Sequence, residues 1–350
     1  MLKIPPSRIV VVGAGAFGRN HIRVWQALEN AGAPVRLVGI VEPDKTLAAE
    51  LTAEYQLPVF ASTGEILSSQ SPPDAASVAV PTSLHATVTS QLLTAGVDVL
   101  VEKPFTATLR QADDLIGLAQ RHKCILQVGH LERFNPAVRA IRPLLHKPLF
   151  FEVHRLSVFT PRALDVDVVL DLMIHDLDIV LNWTQSPIRE LHAVGLPILS
   201  SQVDIANVRI EFASGCVANF TASRVSTERV RKVRFFQPHQ YISVDYARQD
   251  VLCIDVPALQ SPESSQPISP TSGSLQFQPV QAVHPTPEFA LRKLDVPSGE
   301  PLQLELESFL RSVRERTPPE VSAQDGRAAL AVALDIATAI RAHQSRAGLA

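Results

Sequence analysis

Cysteine is scarce: Cys124, Cys216 and Cys253 are the only three in 350 residues, and they lie far apart with no CxxC pairing. An odd, dispersed set supports neither a disulfide framework nor a zinc site, so the three read as small core residues of a reducing compartment. A basic surplus is also missing. With 32 Lys and Arg against 35 Asp and Glu the formal net charge is -3, and the composition is poorly suited to neutralising the phosphates of a nucleic acid. No apolar run is long enough to span a bilayer. A charged n-region, long apolar stretch and small-residue cleavage site are not found ahead of IVVVGAGAFG at 9–18, so no secretory signal is read and the cytoplasm is the expected location. What is present is 46% hydrophobic and 19% charged residue in a chain long enough for two globular domains.

From Ile9 to about Val128, short β-rich runs alternate with helical patterns, as in a parallel βαβ sheet. The runs at 9–12, 35–41, 76–80, 97–102 and 124–129 are apolar enough to be strands covered on both faces. Apolar residues three and four apart predict helices over 16–30, 45–55, 84–95 and 108–121, with Thr108 an N-cap. After about Asn135 the pattern becomes alternating, as in FFEVHRLSVF and VDIANVRIEF, which predicts antiparallel strands with a hairpin turn at 213–215. A long helix over Val168–Trp183 precedes most of them. The expected organisation is an α/β dinucleotide-binding domain over 1–130 and an α+β domain with a mainly antiparallel sheet over 131–350. The second includes a Pro/Ser-rich excursion at 257–301 and helices over 302–345.

Gly13, Gly15 and Gly18, with Ala16 and Phe17 between the last two, lie between the first strand and the first helix. That context makes GxGxxG a Rossmann fingerprint: a tight turn, close backbone approach to a pyrophosphate, and close packing of helix on strand. Glu42 ends the second strand where an acid would accept a ribose hydroxyl, which favours NAD over NADP because a carboxylate repels a 2′-phosphate. Asp44 is a rival for that role. Glu102, Lys103 and Pro104 close the run at 97–102, at the edge where open α/β sheets bind ligands. There Lys103 can stabilise an alkoxide or act as acid or base, unless it is simply a surface lysine. On the helix VVLDLMIHDLDIVLNW, Asp171 and His175 are four apart, so the carboxylate can orient the imidazole as it takes a substrate proton. The alternative is a solvated polar stripe of Asp171, His175, Asp178 and Asn182. His175 and Asp176 lack further ligands at suitable spacing, so no metal site is expected.

GAGAFG, Glu42, VPTSLH at 80–85, EKP at 102–104, GHLERFNP at 129–136 and DLMIHD at 171–176 occur in an order and spacing that resembles the Gfo/Idh/MocA oxidoreductases from Ile9 to about Trp183. The resemblance implies a Rossmann domain that binds NAD or NADP, followed by a domain whose large open sheet supplies the substrate pocket and the interface of a homodimer or homotetramer. It implies Lys103, Asp171 and His175 as the catalytic group, with Pro81, Thr82, His85, Glu102 and Lys103 beside the cofactor. VGHLERFNPAV and the stretch from Phe159 to Leu181 look most like UDP-N-acetylglucosamine 3-dehydrogenases, which precede a sugar aminotransferase in lipid A biosynthesis. Arg133, Asn135 and Arg162 are then candidates for a polar or anionic part of a nucleotide sugar. Each has a structural alternative: a turn at Asn135-Pro136, surface charge for the arginines. Two other readings stay open, a dehydrogenase or reductase of another sugar or cyclitol and a non-catalytic sensor of NAD or a nucleotide sugar.

Overall fold

The computed structural model describes residues 5–159, 166–255, 277–279 and 290–348. Two compact units emerge, one of residues 1–134 and 300–331 and the other of 135–299 and 332–350. In the first, strands β1 (Ser7–Val12), β2 (Val35–Val41), β3 (Val59–Phe60), β4 (Ala75–Val78), β5 (Asp98–Glu102) and β6 (Leu126–Gly129) form a parallel sheet. Their order is β3-β2-β1-β4-β5-β6. This is the doubly wound order whose direction reverses between β1 and β4, the place where such sheets bind dinucleotides. Between the strands run α1 (Ala16–Asn30), α2 (Lys45–Tyr55), α3 (Thr63–Leu67), α4 (Thr82–Thr94) and α5 (Leu109–His122). Helix α5 opens with the Thr108 cap and a reciprocal bond from Gln111, a capping box.

Period-two alternation explains how one sheet makes two cores. Ile9 and Val11 face a cluster with Ile22, Trp25 and Leu28 of α1, while Val10 and Val12 face one with Leu92, Leu93 and Leu115. The helix at Pro301–Glu315, expected with the second half of the chain, puts Leu302, Leu306, Phe309, Leu310 and Val313 into the first of these clusters. Its apolar stripe is therefore part of the first unit's core. The two-residue β3 and the short α3 add a βα step that periodicity did not single out.

The second unit contains α6 (Pro136–Ile141) and a nine-stranded sheet. The strands are β7 (Phe150–Val158), β8 (Ile188–Leu196), β9 (Ile205–Phe212), β10 (Val217–Ser226), β11 (Val230–Gln237), β12 (Gln240–Asp245), β13 (Asp250–Asp255), β14 (Phe277–Pro279) and β15 (Ala290–Leu294). Their order is β14-β15-β13-β12-β11-β7-β10-β9-β8, antiparallel throughout except for the parallel pair β7 and β10. The turn at 213–215 joins β9 to β10, with Gly215 at φ +84°. The Pro/Ser-rich stretch is thus not only an excursion, because β14 and β15 extend the sheet from within it.

Helix α7 (Ile174–Thr184) lies between β7 and β8 in sequence and follows a π-helical turn over Val169–Met173. Its far end is pinned to the sheet by aromatic packing: Trp183 lies 6.0 Å from Phe151 and 5.7 Å from Phe235, centroid to centroid. Chain order closes with α8 (Pro301–Glu315) and α9 (Ala323–Arg346). The three cysteines are free thiols. Burial pushes Cys124 and Cys216 up to about 11 and Cys253 up to about 12, so none is activated as a nucleophile.

Candidate functional site

Four of the expected features gather at the carboxyl edge of the parallel sheet: the glycine loop after β1, Glu42 after β2, the Pro81–Thr82 start of α4 and the Glu102–Lys103–Pro104 turn after β5. Gly13 has φ +88°, and a Cβ there would lie 2.8 Å from Ala79 O. At Gly18 a Cβ would lie 2.0 Å from Gly13 O, so helix and loop touch because position 18 has no side chain. Gly15 is different. It caps α1 with no side-chain hydrogen bond, and a Cβ on it would meet nothing within 4 Å. The first turn, Ala16 to Gly18, contains no acidic residue. Uncapped amides facing open space beside a bare backbone fit a pyrophosphate.

Glu42 is fixed beside this loop by two backbone amides, Ala14 N donating to Oε2 and Asp44 N to Oε1, both at 3.1 Å. A carboxylate so held keeps lone pairs for ribose hydroxyls. Asp44, the rival, instead caps α2 by accepting from Leu47 N at 2.9 Å. At the opposite side of the edge, Lys103 is half-buried and followed by a cis peptide to Pro104. His85 is buried with Nδ1 2.8 Å from Pro104 O and Nε2 2.9 Å from Val80 O, so its nitrogens tie the start of α4 to that turn. Glu102 is buried too, bonded to His21. These two residues, expected beside the cofactor, hold the turn together.

In the second unit, Asp171 lies in the π-helical turn and is half-buried, and His175 is buried one turn later. Asp167 starts this segment by accepting from Val169 N and Leu170 N at 2.9 Å each. The polar side of the helix is not a solvated stripe. His175, Asp176 and Asp178 are all buried. Asp176 takes a bidentate ion pair from Arg155, Nε to Oδ2 at 2.6 Å and Nη2 to Oδ1 at 3.0 Å, and the guanidinium lies 5.4 Å from the centre of the Tyr246 ring. Neither Arg155 nor this role of Asp176 was foreseen. The signal was in β7, where Phe151, Val153 and Arg155 share the inward register and the last is charged. Asp204 is a second such anchor, accepting from Ile198 N, Leu199 N and Ser200 N.

The substrate candidates fare differently. Asn135 caps α6 through Ala137 N and donates to Tyr246 O at 3.0 Å. Arg133 is 9% exposed and lies 3.8 Å from Asp325. Both therefore have partners within their own unit. Arg162 lies outside the described residues. No group of three or more His, Cys, Asp or Glu that could hold a metal occurs among the described residues, nor a helix long and apolar enough to cross a membrane.

Residues 7–130 match the family model of the oxidoreductase NAD-binding Rossmann fold, and residues 146–237 match the GFO/IDH/MocA C-terminal domain. A UDP-N-acetylglucosamine 3-dehydrogenase from Acidithiobacillus ferrooxidans is 32% identical over 340 residues, 97% of this chain and 99% of the relative. The chain belongs to the Gfo/Idh/MocA oxidoreductases. A solved structure of that Acidithiobacillus protein superposes with a TM-score of 0.83 at the same identity and covers 97% of this chain and 99% of the other. An inositol 2-dehydrogenase from Leifsonia xyli is 32% identical over 54% of this chain and 56% of its own length. At 16% identity, the WlbA dehydrogenase of Bordetella pertussis shares the fold with a TM-score of 0.73, over 96% of this chain and 97% of the other. The first unit is thus the NAD-binding Rossmann domain of a Gfo/Idh/MocA oxidoreductase.

Proposed function

We propose that this Gfo/Idh/MocA oxidoreductase oxidises the C3 hydroxyl of UDP-N-acetylglucosamine to the 3-keto sugar with NAD+. The observation that carries this reading is full-length likeness to the Acidithiobacillus 3-dehydrogenase in sequence and fold. Bound NAD+ supplies the hydride acceptor. The chain's own share is to hold the sugar and manage a proton and a charge. His175, oriented by Asp171, takes the hydroxyl proton, and the Lys103 ammonium stabilises the oxygen as negative charge develops on it. The product is a ketone, which a sugar aminotransferase would consume. We place the enzyme in the cytoplasm as a homodimer or homotetramer. The cyclitol reading draws on the inositol 2-dehydrogenase relatives, which match only about half of this chain.

The test is to mix protein, NAD+ and UDP-N-acetylglucosamine with a ketone trap and follow NADH absorbance, placing the new carbonyl by NMR. Lys103→Ala, Asp171→Ala and His175→Ala should each lower turnover by about 100-fold or more while NAD+ affinity stays within about threefold. Turnover of myo-inositol but not of the nucleotide sugar would move the assignment to a cyclitol. NAD+ binding without turnover of any sugar would favour a sensor.

A further inference from the structure

His21 is a polar residue in an apolar place. It shares the buried face of α1 with Ile22, Val24 and Trp25 and is 0% exposed. Its Nε2 is 3.0 Å from Oε1 of Glu102, the last residue of β5, 7% exposed and next to Lys103. Among the described residues Nδ1 has no hydrogen-bond partner, so the ring's polar task is to donate from Nε2 to that carboxylate. A carboxylate removed from water is costly unless such a donor meets it.

The surroundings are shaped for this pair. β5 and β6 place Glu102 opposite Gly129, where a Cβ would lie 2.6 Å from Glu102 Oε1 and 2.9 Å from Oε2. Only glycine leaves the carboxylate its room. On the other side, the Phe17 and His21 rings make a T-shaped pair with centroids 5.2 Å apart, and Phe17 belongs to the first turn of α1, just past the glycine loop. Contacts therefore run without a break from the turn that receives the pyrophosphate, through Phe17 and His21, to the residue that precedes Lys103.

We infer that His21 and Glu102 are positioning residues that couple the dinucleotide-binding helix to the Lys103 turn, with Gly129 making space for the carboxylate. This rests on the role proposed above for Lys103. His21 also keeps the Glu102 charge satisfied, so that it does not draw the neighbouring ammonium away from substrate. Removing the imidazole leaves a buried carboxylate that competes for Lys103, and neutralising that carboxylate relieves the competition.

Four variants test the inference through kcat, KM, NAD+ affinity by calorimetry and amide hydrogen exchange over residues 101–106. His21→Leu should lose kcat by about 10- to 100-fold, as small misplacements of a reacting group do, with NAD+ affinity within about threefold. His21→Gln retains an N–H for the same acceptor and should keep kcat within about threefold. The double variant His21→Leu, Glu102→Gln should recover at least about fivefold over His21→Leu. Gly129→Ala presses on the carboxylate without touching His21 and should reproduce the kcat loss even where His21→Leu fails to fold. Exchange over 101–106 should quicken in His21→Leu and Gly129→Ala but not in His21→Gln. A folded His21→Leu or Gly129→Ala with wild-type kcat, or a double variant worse than His21→Leu, would overturn the inference. If the wild type turns over no sugar, the proposed function falls, and unchanged exchange in His21→Leu and Gly129→Ala would sink the coupling on its own.

Discussion

The three glycines of the cofactor loop have one motif in common and separate physical tasks, which substitution can pull apart. Gly18 is closed: a Cβ at 2.0 Å from Gly13 O forces backbone to move, so Gly18→Ala should destabilise by roughly 1–3 kcal/mol. Gly15 is open, with φ -62° that any L-residue adopts and no atom within 4 Å of a Cβ. Gly15→Val should therefore leave the melting temperature of the free protein unchanged while weakening NAD+ by about tenfold or more, since the branched side chain takes the space needed by the pyrophosphate. Wild-type NAD+ affinity in Gly15→Val would mean that the dinucleotide does not approach the backbone there. The motif was legible from the chain alone; which glycine serves the fold and which serves the ligand was not, because that depends on how the turn folds back on itself at Gly18 and, at Gly13, on Ala79 and Val80, more than sixty positions away.

At the scale of elements, two buried carboxylates act as anchors, Asp176 for the helix that carries His175 and Asp204 for the turn at 198–200. Truncating Asp176 leaves Arg155 buried without its bidentate partner, a loss of about 3–5 kcal/mol. Asp176→Ala should thus lower the melting temperature by roughly 10 °C. Joint replacement by apolar residues, Arg155→Met with Asp176→Leu, should restore much of it, whereas a double variant as unstable as the single one would argue against the broken ion pair as the cause. Asp204 acts on the turn between β8 and β9. Burial raises its carboxyl, but amides of Ile198, Leu199 and Ser200 and the Ser200 hydroxyl outweigh this and hold it at about 2. The folded value lies below the ordinary 3.8, so the folded state favours the charged form. Its stabilisation, about 2 kcal/mol, is fully present above pH ~4 and is lost as the pH falls through ~2. Asp204→Asn should flatten the acid limb of the stability curve between those values in urea titrations; an unaltered limb would show that another group governs it. Such anchors were hard to read from sequence. Periodicity marks which face of β7 or α7 turns inward, yet whether a charge on that face meets a partner depends on a strand and a helix that only the fold brings together. Asn135 shows the same limit, since nothing local says that its amide is taken by Tyr246.

At the scale of the whole molecule, the parallel unit was legible almost strand by strand, because apolar runs and the glycine fingerprint report the same architecture by independent physics. The antiparallel unit was legible in kind but not in extent: β14 and β15 come from a stretch whose proline content hides its strands, and α8 joins the first core from far along the chain. Cofactor choice also belongs to this scale, because it is read out in the stability of the folded chain. NAD+ binds only the native form, so at about 100 times its Kd it should stabilise by about 2.7 kcal/mol and raise the melting temperature by roughly 5–10 °C. Glu42, fixed by Ala14 N and Asp44 N, cannot swing away from a 2′-phosphate without breaking both bonds. NADP+ at equal concentration should therefore give a much smaller shift, and Glu42→Ser should narrow the gap by removing the repulsion while keeping a hydroxyl for the ribose. Equal shifts with both dinucleotides in the wild type would show that the carboxylate does not face the ribose, and the assignment of NAD specificity to Glu42 would fail with it.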